Sequence, residues 1–296
     1  MSSFESAWEN GDYRPVKVLT TFLLVISGFI LGNFPILLLY PLDRGRNMSD
    51  LVSYFGFTKL FLLQMIPFFL GLIGFVVSAK VIHKVSPITW VTSRKKIDIN
   101  RVLFAFGLWS TLIVLPTLVD WYVSPSTYTL QFEWKSFFTS CLLLAVCLPF
   151  QVLFEELLFR GFLFQGLARR TKSIAFTIIL SGVMFGLMHI GNPEVNAQGY
   201  WLLGIYVTLG ITMTLMAFLD QGIEISYGFH LANNFITGIL VTSSDQAFQT
   251  KALLKMESMD FSLASFGWLL VSLAIFLLLV SRRFRWKDLR VKRNNH

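Results

Sequence analysis

Apolar stretches of about twenty residues recur along this chain, and in helical form ~20 residues cross the ~30 Å hydrocarbon core of a bilayer. Lipid offers backbone N–H and C=O groups no partner, so such stretches must satisfy themselves as helices. Eight are readable: Val18–Leu39, Leu60–Val81, Val102–Val123, Phe137–Phe159 with a tail to Arg170, Ile174–Ile190, Tyr200–Leu219, Ile223–Val241 and Leu263–Val280. Pro67 inside the second reads as a kink that neighbouring helices tolerate. Composition agrees: 54% of the residues are hydrophobic, 14% are charged, and the mean hydropathy is +0.63. A soluble domain carries roughly 25% charged residues. The expected fold class is an all-α integral membrane protein, a polytopic bundle of about eight transmembrane helices. No second soluble domain, long linker or internal repeat is visible.

The net charge of +8 and pI near 9.6 belong to loops in this setting, because lysine and arginine accumulate on the cytoplasmic side. A nucleic-acid partner is therefore not expected; the lipid bilayer is. An even number of helices puts both termini on one side, and the basic tail from Ser281 marks it as cytoplasmic. Lys84, Arg94, Lys95, Lys96 and Arg101 after the second helix, and Arg169, Arg170 and Lys172 after the fourth, then fall inside. Acidic or mixed loops (Asp120, Glu133, Glu194, Asp245, Glu257, Asp260) fall outside. The inside turn Asp220–Gly222 has no basic residue, and Arg44 and Arg46 dissent on the outer side. Thirty Phe and eight Trp suit lipid-facing surfaces and interfacial belts. Cys141 and Cys147 share one apolar run and read as packing residues. The polar first fourteen residues lack the form of a cleaved signal peptide.

Against this background Glu155, Glu156 and Arg160 are expensive. A charged side chain at membrane depth costs at least ~2.5–3.5 kcal/mol, so a functional site is the default reading. Consecutive helical residues point ~100° apart, so the two carboxylates cannot face the same way. Glu156 and Arg160 are i,i+4 with the acid first, the favourable order for an ion pair. Glu155 is off that face and free for other work, such as general base catalysis.

Two later helices add polar groups. His189 is the one ionisable residue of the fifth, whose Gly182 and Gly186 form a small-xxx-small face for close helix approach. His230 and Asn234, again i,i+4, share a face of the seventh, where Gly228 also permits close approach. His83 and His296 lie in or beside polar segments. Glu, His, His and Asn converging in a membrane cavity fit either a water-activating hydrolase or a metal site.

Glu155-Glu156-Leu-Leu-Phe-Arg160, Phe185-Gly-Leu-Met-His189 and His230-Leu-Ala-Asn-Asn234, in this order on successive membrane helices, resemble the CPBP family. That family comprises type II CAAX prenyl endopeptidases and bacteriocin-processing or bacteriocin-immunity membrane proteins. The resemblance implies an intramembrane protease bundle with its catalytic core in residues 137–242. The first three helices would occupy 1–136, and the last helix with its basic tail 243–296. It further implies that Glu155 and His189 activate a water while His230 and Asn234 donate to an oxyanion, with Glu156 and Arg160 in support. No cofactor is expected; were zinc used, Glu155, His189 and His230 would hold it. The partner would be a peptide or membrane-protein substrate, and the expected location a bacterial plasma membrane. Two other readings compete: a non-catalytic scaffold or bacteriocin-immunity factor of the same fold, and a proton-relay transporter. The transporter is disfavoured because paired, Gly/Pro-broken helices are missing.

One count conflicts with convergence. Measured from the assigned cytoplasmic ends, Glu155 lies ~22 Å deep and His230 only ~13 Å at the helical rise.

Overall fold

The computed structural model of the chain describes residues 4, 11–41, 47–171, 173–257 and 262–286. Arg44, Arg46, Lys172, Asp260, His296 and the tail beyond Trp286 lie outside them, as do most of the first ten residues.

The helices are α1 (Pro15–Leu39), α2 (Met48–Phe55), α3 (Phe57–Val77), α4 (Ile99–Val123), α5 (Trp134–Glu156), α6 (Gln165–Thr171), α7 (Ile174–Leu187), α8 (Pro193–Gln198), α9 (Leu203–Asp220), α10 (Glu224–Leu240) and α11 (Leu263–Arg283). Six are long and apolar enough to cross a membrane among the described residues: α1, α3 with its extension to Ile82, α4, α5 with its extension to Thr171, Tyr200–Asp220, and α11. The protein is an integral membrane protein of all-α class. The expected count of eight is not reached by this measure, because α7 has 14 residues and α10 has 17.

The shortness of α7 has a local cause. Pro193 holds Asn192 in extended backbone (ψ 142°), since the residue before proline is pushed out of the helical region. The chain therefore turns at Met188–Gly191. His189, expected inside a helix extending to Ile190, sits in that turn.

α1 packs on α3, α4 on α10 and α7 on α9. Glycine makes the last two pairings close. A Cβ on Gly182 would come within 2.4 Å of the Ile211 backbone nitrogen, and one on Gly228 within 2.3 Å of the Val102 carbonyl oxygen. Small residues allow such backbone approach where lipid removes the hydrophobic drive for helix association.

At one end of the bundle the turn between α9 and α10 is covered by the loop before α4. The Ile223 N–H donates to the Val91 carbonyl at 2.8 Å, and Thr92 pairs antiparallel with Gly222. Arg94 and Arg101 both reach Asp220, so the turn that lacks basic residues borrows them. The Phe4 N–H donates to Gln221 Oε1 at 2.9 Å, and the Trp286 indole N–H donates to Asp220 Oδ1 at 2.9 Å. Both described ends of the chain thus meet here. His83, in a polar segment by sequence, is fully buried at this end. Its Nδ1 donates to the Asp12 carbonyl at 2.9 Å, and its Nε2 accepts from the Thr21 hydroxyl at 2.7 Å.

At the other end, β1 (Thr129–Leu130), β2 (Val241–Thr242) and β3 (Leu254–Lys255) form a small sheet in the order β1-β3-β2. β1 runs antiparallel to β3, and β2 parallel to it. This sheet ties the loops that follow α4 and α10.

The conflict in depth between Glu155 and His230 resolves at the α9–α10 turn. Asp220, Gly222, Ile223 and Glu224 are all buried, so α10 begins inside the protein and not at its surface. Its first turns already stand beside the carboxylate helix.

Candidate active site

Glu155 and Glu156 end α5, and the chain continues as a wider π-helical segment, Leu157–Phe164. Insertions of this kind often accompany functional sites. The Arg160 guanidinium remains in reach of Glu156, with Nη1 2.9 Å from Oε1 and both side chains fully buried. Its Nε donates to Thr214 Oγ1 at 3.3 Å and its Nη2 to the Gly210 carbonyl at 3.2 Å. The guanidinium also sits 4.6 Å from the Phe185 ring centre.

Glu156 accepts further bonds from α10: Ser226 Oγ donates to Oε2 at 2.7 Å and His230 Nδ1 to Oε1 at 2.9 Å. A buried carboxylate is tolerated when charge and hydrogen bonds replace its water, and Glu156 has both. Glu155 has neither an arginine nor full burial, its side chain being 15% exposed. The Gln151 amide N–H donates to its Oε1, and His230 Nε2 stands 3.4 Å from its Oε2. His230 therefore lies between the two carboxylates, one ring nitrogen toward each.

Asn234 joins through Gln151: its Nδ2 donates to Gln151 Oε1 at 3.2 Å. Behind it, Asn233 Nδ2 donates to Asn234 Oδ1 at 3.3 Å, and the Trp109 N–H to Asn233 Oδ1 at 3.3 Å.

His189 arrives from the turn after α7. Its Nδ1 lies 2.9 Å from the Phe185 carbonyl oxygen. A carbonyl can only accept, so Nδ1 carries the hydrogen and Nε2 of the neutral ring bears the lone pair. The ring stacks on Tyr206 with centroids 4.1 Å apart and planes at 14°. Phe185 separates the two histidines, 4.8 Å from His189 and 5.8 Å from His230. Tyr206 is anchored in turn, its hydroxyl donating to the buried Glu194 at 2.5 Å.

The structure brings Glu155, Glu156, Arg160, His230 and Asn234 into one hydrogen-bonded set, with His189 beside it. Gln151, Ser226 and Thr214 belong to that set and were not singled out by sequence reasoning. Gln151 carried the same signal as Arg160, a polar residue four positions from a carboxylate in an apolar run. Ser226 and Thr214 carry no such signal, since hydroxyls are common in membrane helices.

The donor set suits zinc poorly. Among the described residues no three His, Cys, Asp or Glu side chains gather as a metal-holding group. His230 has one ring nitrogen committed to Glu156 and the other turned to Glu155, so Glu155, His189 and His230 do not stand as three convergent ligands.

Comparison with known proteins bears on the family. Residues 136–236 match the family described as type II CAAX prenyl endopeptidase Rce1-like. Over that stretch the chain is similar to the Rce1-like family. The stretch runs from the first turn of α5 into α10 and contains all the residues of the hydrogen-bonded set and His189. A Bacillus subtilis (strain 168) protein, "Uncharacterized protein YyaK", is 29% identical over 253 residues, covering 81% of this chain and 84% of that one. No solved structure matches the chain.

Proposed function

We propose that this protein is an intramembrane endopeptidase that hydrolyses a peptide bond with a glutamate-activated water and without a metal. One observation carries the reading: of two adjacent carboxylates, Glu156 is neutralised by Arg160 while Glu155 is left partly exposed without a cation. A carboxylate in that state is a base in search of a proton, and the similarity to the Rce1-like family supports the reaction class.

Glu155 accepts a proton from water as the water oxygen bonds to the substrate carbonyl carbon and the carbonyl oxygen becomes an oxyanion. His189 Nε2 offers the water a second acceptor. Asn234 Nδ2 has two hydrogens and gives one to Gln151; the other serves the oxyanion. Glu156 accepts from His230 Nδ1 and so fixes the ring with Nε2 turned toward Glu155. Collapse re-forms the carbonyl, breaks the C–N bond, and passes the proton from Glu155 to the leaving amine. Preorganised donors of this kind are each worth ~2.7–4 kcal/mol in the transition state.

The Bacillus relative supports a bacterial plasma membrane. The position of Phe4 and Trp286 beside Arg94 and Arg101 supports cytoplasmic termini, with α7 and α10 as the two short passes of an eight-pass bundle. The substrate is a peptide or membrane protein.

The test is substrate trapping with Glu155→Gln in the full chain. Membranes carrying this variant should accumulate an uncleaved protein, and cleavage of it should fall by ~10²–10⁴. Undiminished cleavage by Glu155→Gln would overturn the reading, and a phenotype fully rescued by that variant would make the protein a scaffold.

A further inference from the structure

A second site lies at the opposite end of the bundle from the Asp220 turn. A cavity of about 590 Å³ opens between the first turns of α3 and α5 and the 249–251 loop. Lys59, Lys135 and Lys251 line it, and no acidic side chain does. Each ammonium rests on a ring: Lys251 lies 4.3 Å from the centre of Phe57, Lys59 5.3 Å from Phe55 and Lys135 5.7 Å from Trp134. No salt bridge to any of the three is formed among the described residues.

The start of α3 is also open. Its N-cap is Gly56, which supplies no side-chain cap, and a Cβ built on Gly56 meets nothing within 4 Å. α5, by contrast, is capped by Glu133, which accepts from the Lys135 and Ser136 N–H groups. Uncapped first-turn N–H groups and the positive helix end favour an anion, and here they coincide with three lysines around one cavity.

Two features select the occupant. The floor of the cavity is apolar: Phe61 and Leu144 line it and form a buried cluster with Met65 and Leu148. Its flank continues into the outer surface of α3 and α5, where Leu62, Phe69 and Phe150 are 45%, 51% and 45% exposed. Cationic above and apolar along its side, it complements an anionic amphiphile lying at the membrane interface.

We infer that this cavity binds the phosphate of an anionic phospholipid, held by Lys59, Lys135, Lys251 and the open start of α3, with an acyl chain along the α3–α5 seam. The site is separate from the hydrolytic one and does not depend on it.

Full-length protein in detergent, probed by native mass spectrometry, tests this with phosphatidylglycerol, phosphatidylcholine and inorganic phosphate. Phosphatidylglycerol should bind in preference to phosphatidylcholine. Each Lys→Gln change should weaken it about fivefold, and the Lys59→Gln/Lys135→Gln/Lys251→Gln variant about a hundredfold. Lys255→Gln, at the same end but outside the cavity, should leave binding unchanged. The side chains changed are surface groups, and the thermal midpoint of each variant without lipid checks that it folds. Equal binding of phosphatidylcholine, retention by the triple variant or an equal loss with Lys255→Gln would overturn the site. Binding of inorganic phosphate as tight as that of the lipid, or displacement of the lipid by a carboxylate-ended peptide, would overturn the lipid as occupant.

Discussion

Helix α10 connects two buried charge clusters with opposite characters. At its start, Glu224 and the neighbouring Asp220 face Arg94 and Arg101, and the Trp286 indole takes up Asp220 Oδ1. The two buried acids meet two cations, the partly exposed Asp98 shares Arg101, and each oxygen of Asp220 and Glu224 has a donor. Further along, Glu155 and Glu156 share a single arginine, and Arg160 is spent on Glu156. The first cluster closes the α9–α10 turn and docks the loop before α4. The second holds a surplus carboxylate in contact with an amide and an imidazole. Both incur desolvation, but only in the second does a carboxylate stand with no arginine on it, and such a charge is where chemistry can be done.

Exchanging the treatments breaks the comparison if it is wrong. Glu155→Gln should lower peptide cleavage by ~10²–10⁴ with little change in thermal midpoint, since its neighbours accept an amide of the same shape. Asp220→Asn should do the reverse, costing ~1.5–3 kcal/mol of stability per weakened charged hydrogen bond while folded molecules cleave normally. Parallel rate and melting measurements on the two variants decide it. Arg160→Met comes next: it strands Glu156 in a fully buried site, a loss of ~3–5 kcal/mol read as a drop in midpoint or in membrane yield. Gln151→Leu should cut the rate about tenfold, equivalent to ~1.4 kcal/mol, because Glu155 and Asn234 both lose their link. It should also shift the pH–rate profile, which a purely structural residue would leave in place.

The smallest effect concerns His83, whose ring bonds the Asp12 carbonyl and the Thr21 hydroxyl. Burial holds its pKa below the ordinary 6.5. Below 6.5 the unfolded chain takes up a proton that the folded protein refuses, so stability falls as pH drops. Between about pH 7.5 and 5.5 the midpoint should fall by on the order of a few degrees, and His83→Gln should flatten that slope.

The eight apolar runs correspond to helices in the structure, and the Glu156–Arg160 pair lies where i,i+4 spacing puts it. Gly182, Gly186 and Gly228 stand at close helix contacts. These features are local, governed by the helical repeat and by the length of apolar sequence. His189 lies in the turn after α7, near Pro193, a local signal that the expected bound at Ile190 overlooked. The burial of His83 depends on neighbours in space, Asp12 and Thr21 folding over it. Gln151 was passed over although it stands four positions from Glu155; only its bond to Asn234 needed the structure.

Residue type and order alone were enough for a polytopic α-helical membrane chain with a costly carboxylate pair in its fourth apolar run, because hydrophobic length and the energy of buried charge need no partner to be read. The i,i+4 spacing already gave Arg160 to Glu156; the hydrogen-bond partners that surround the two carboxylates were decided by tertiary structure. His230, Ser226, Thr214 and Gly210 come from helices 50 or more residues away, and only packing determines what surrounds a charge.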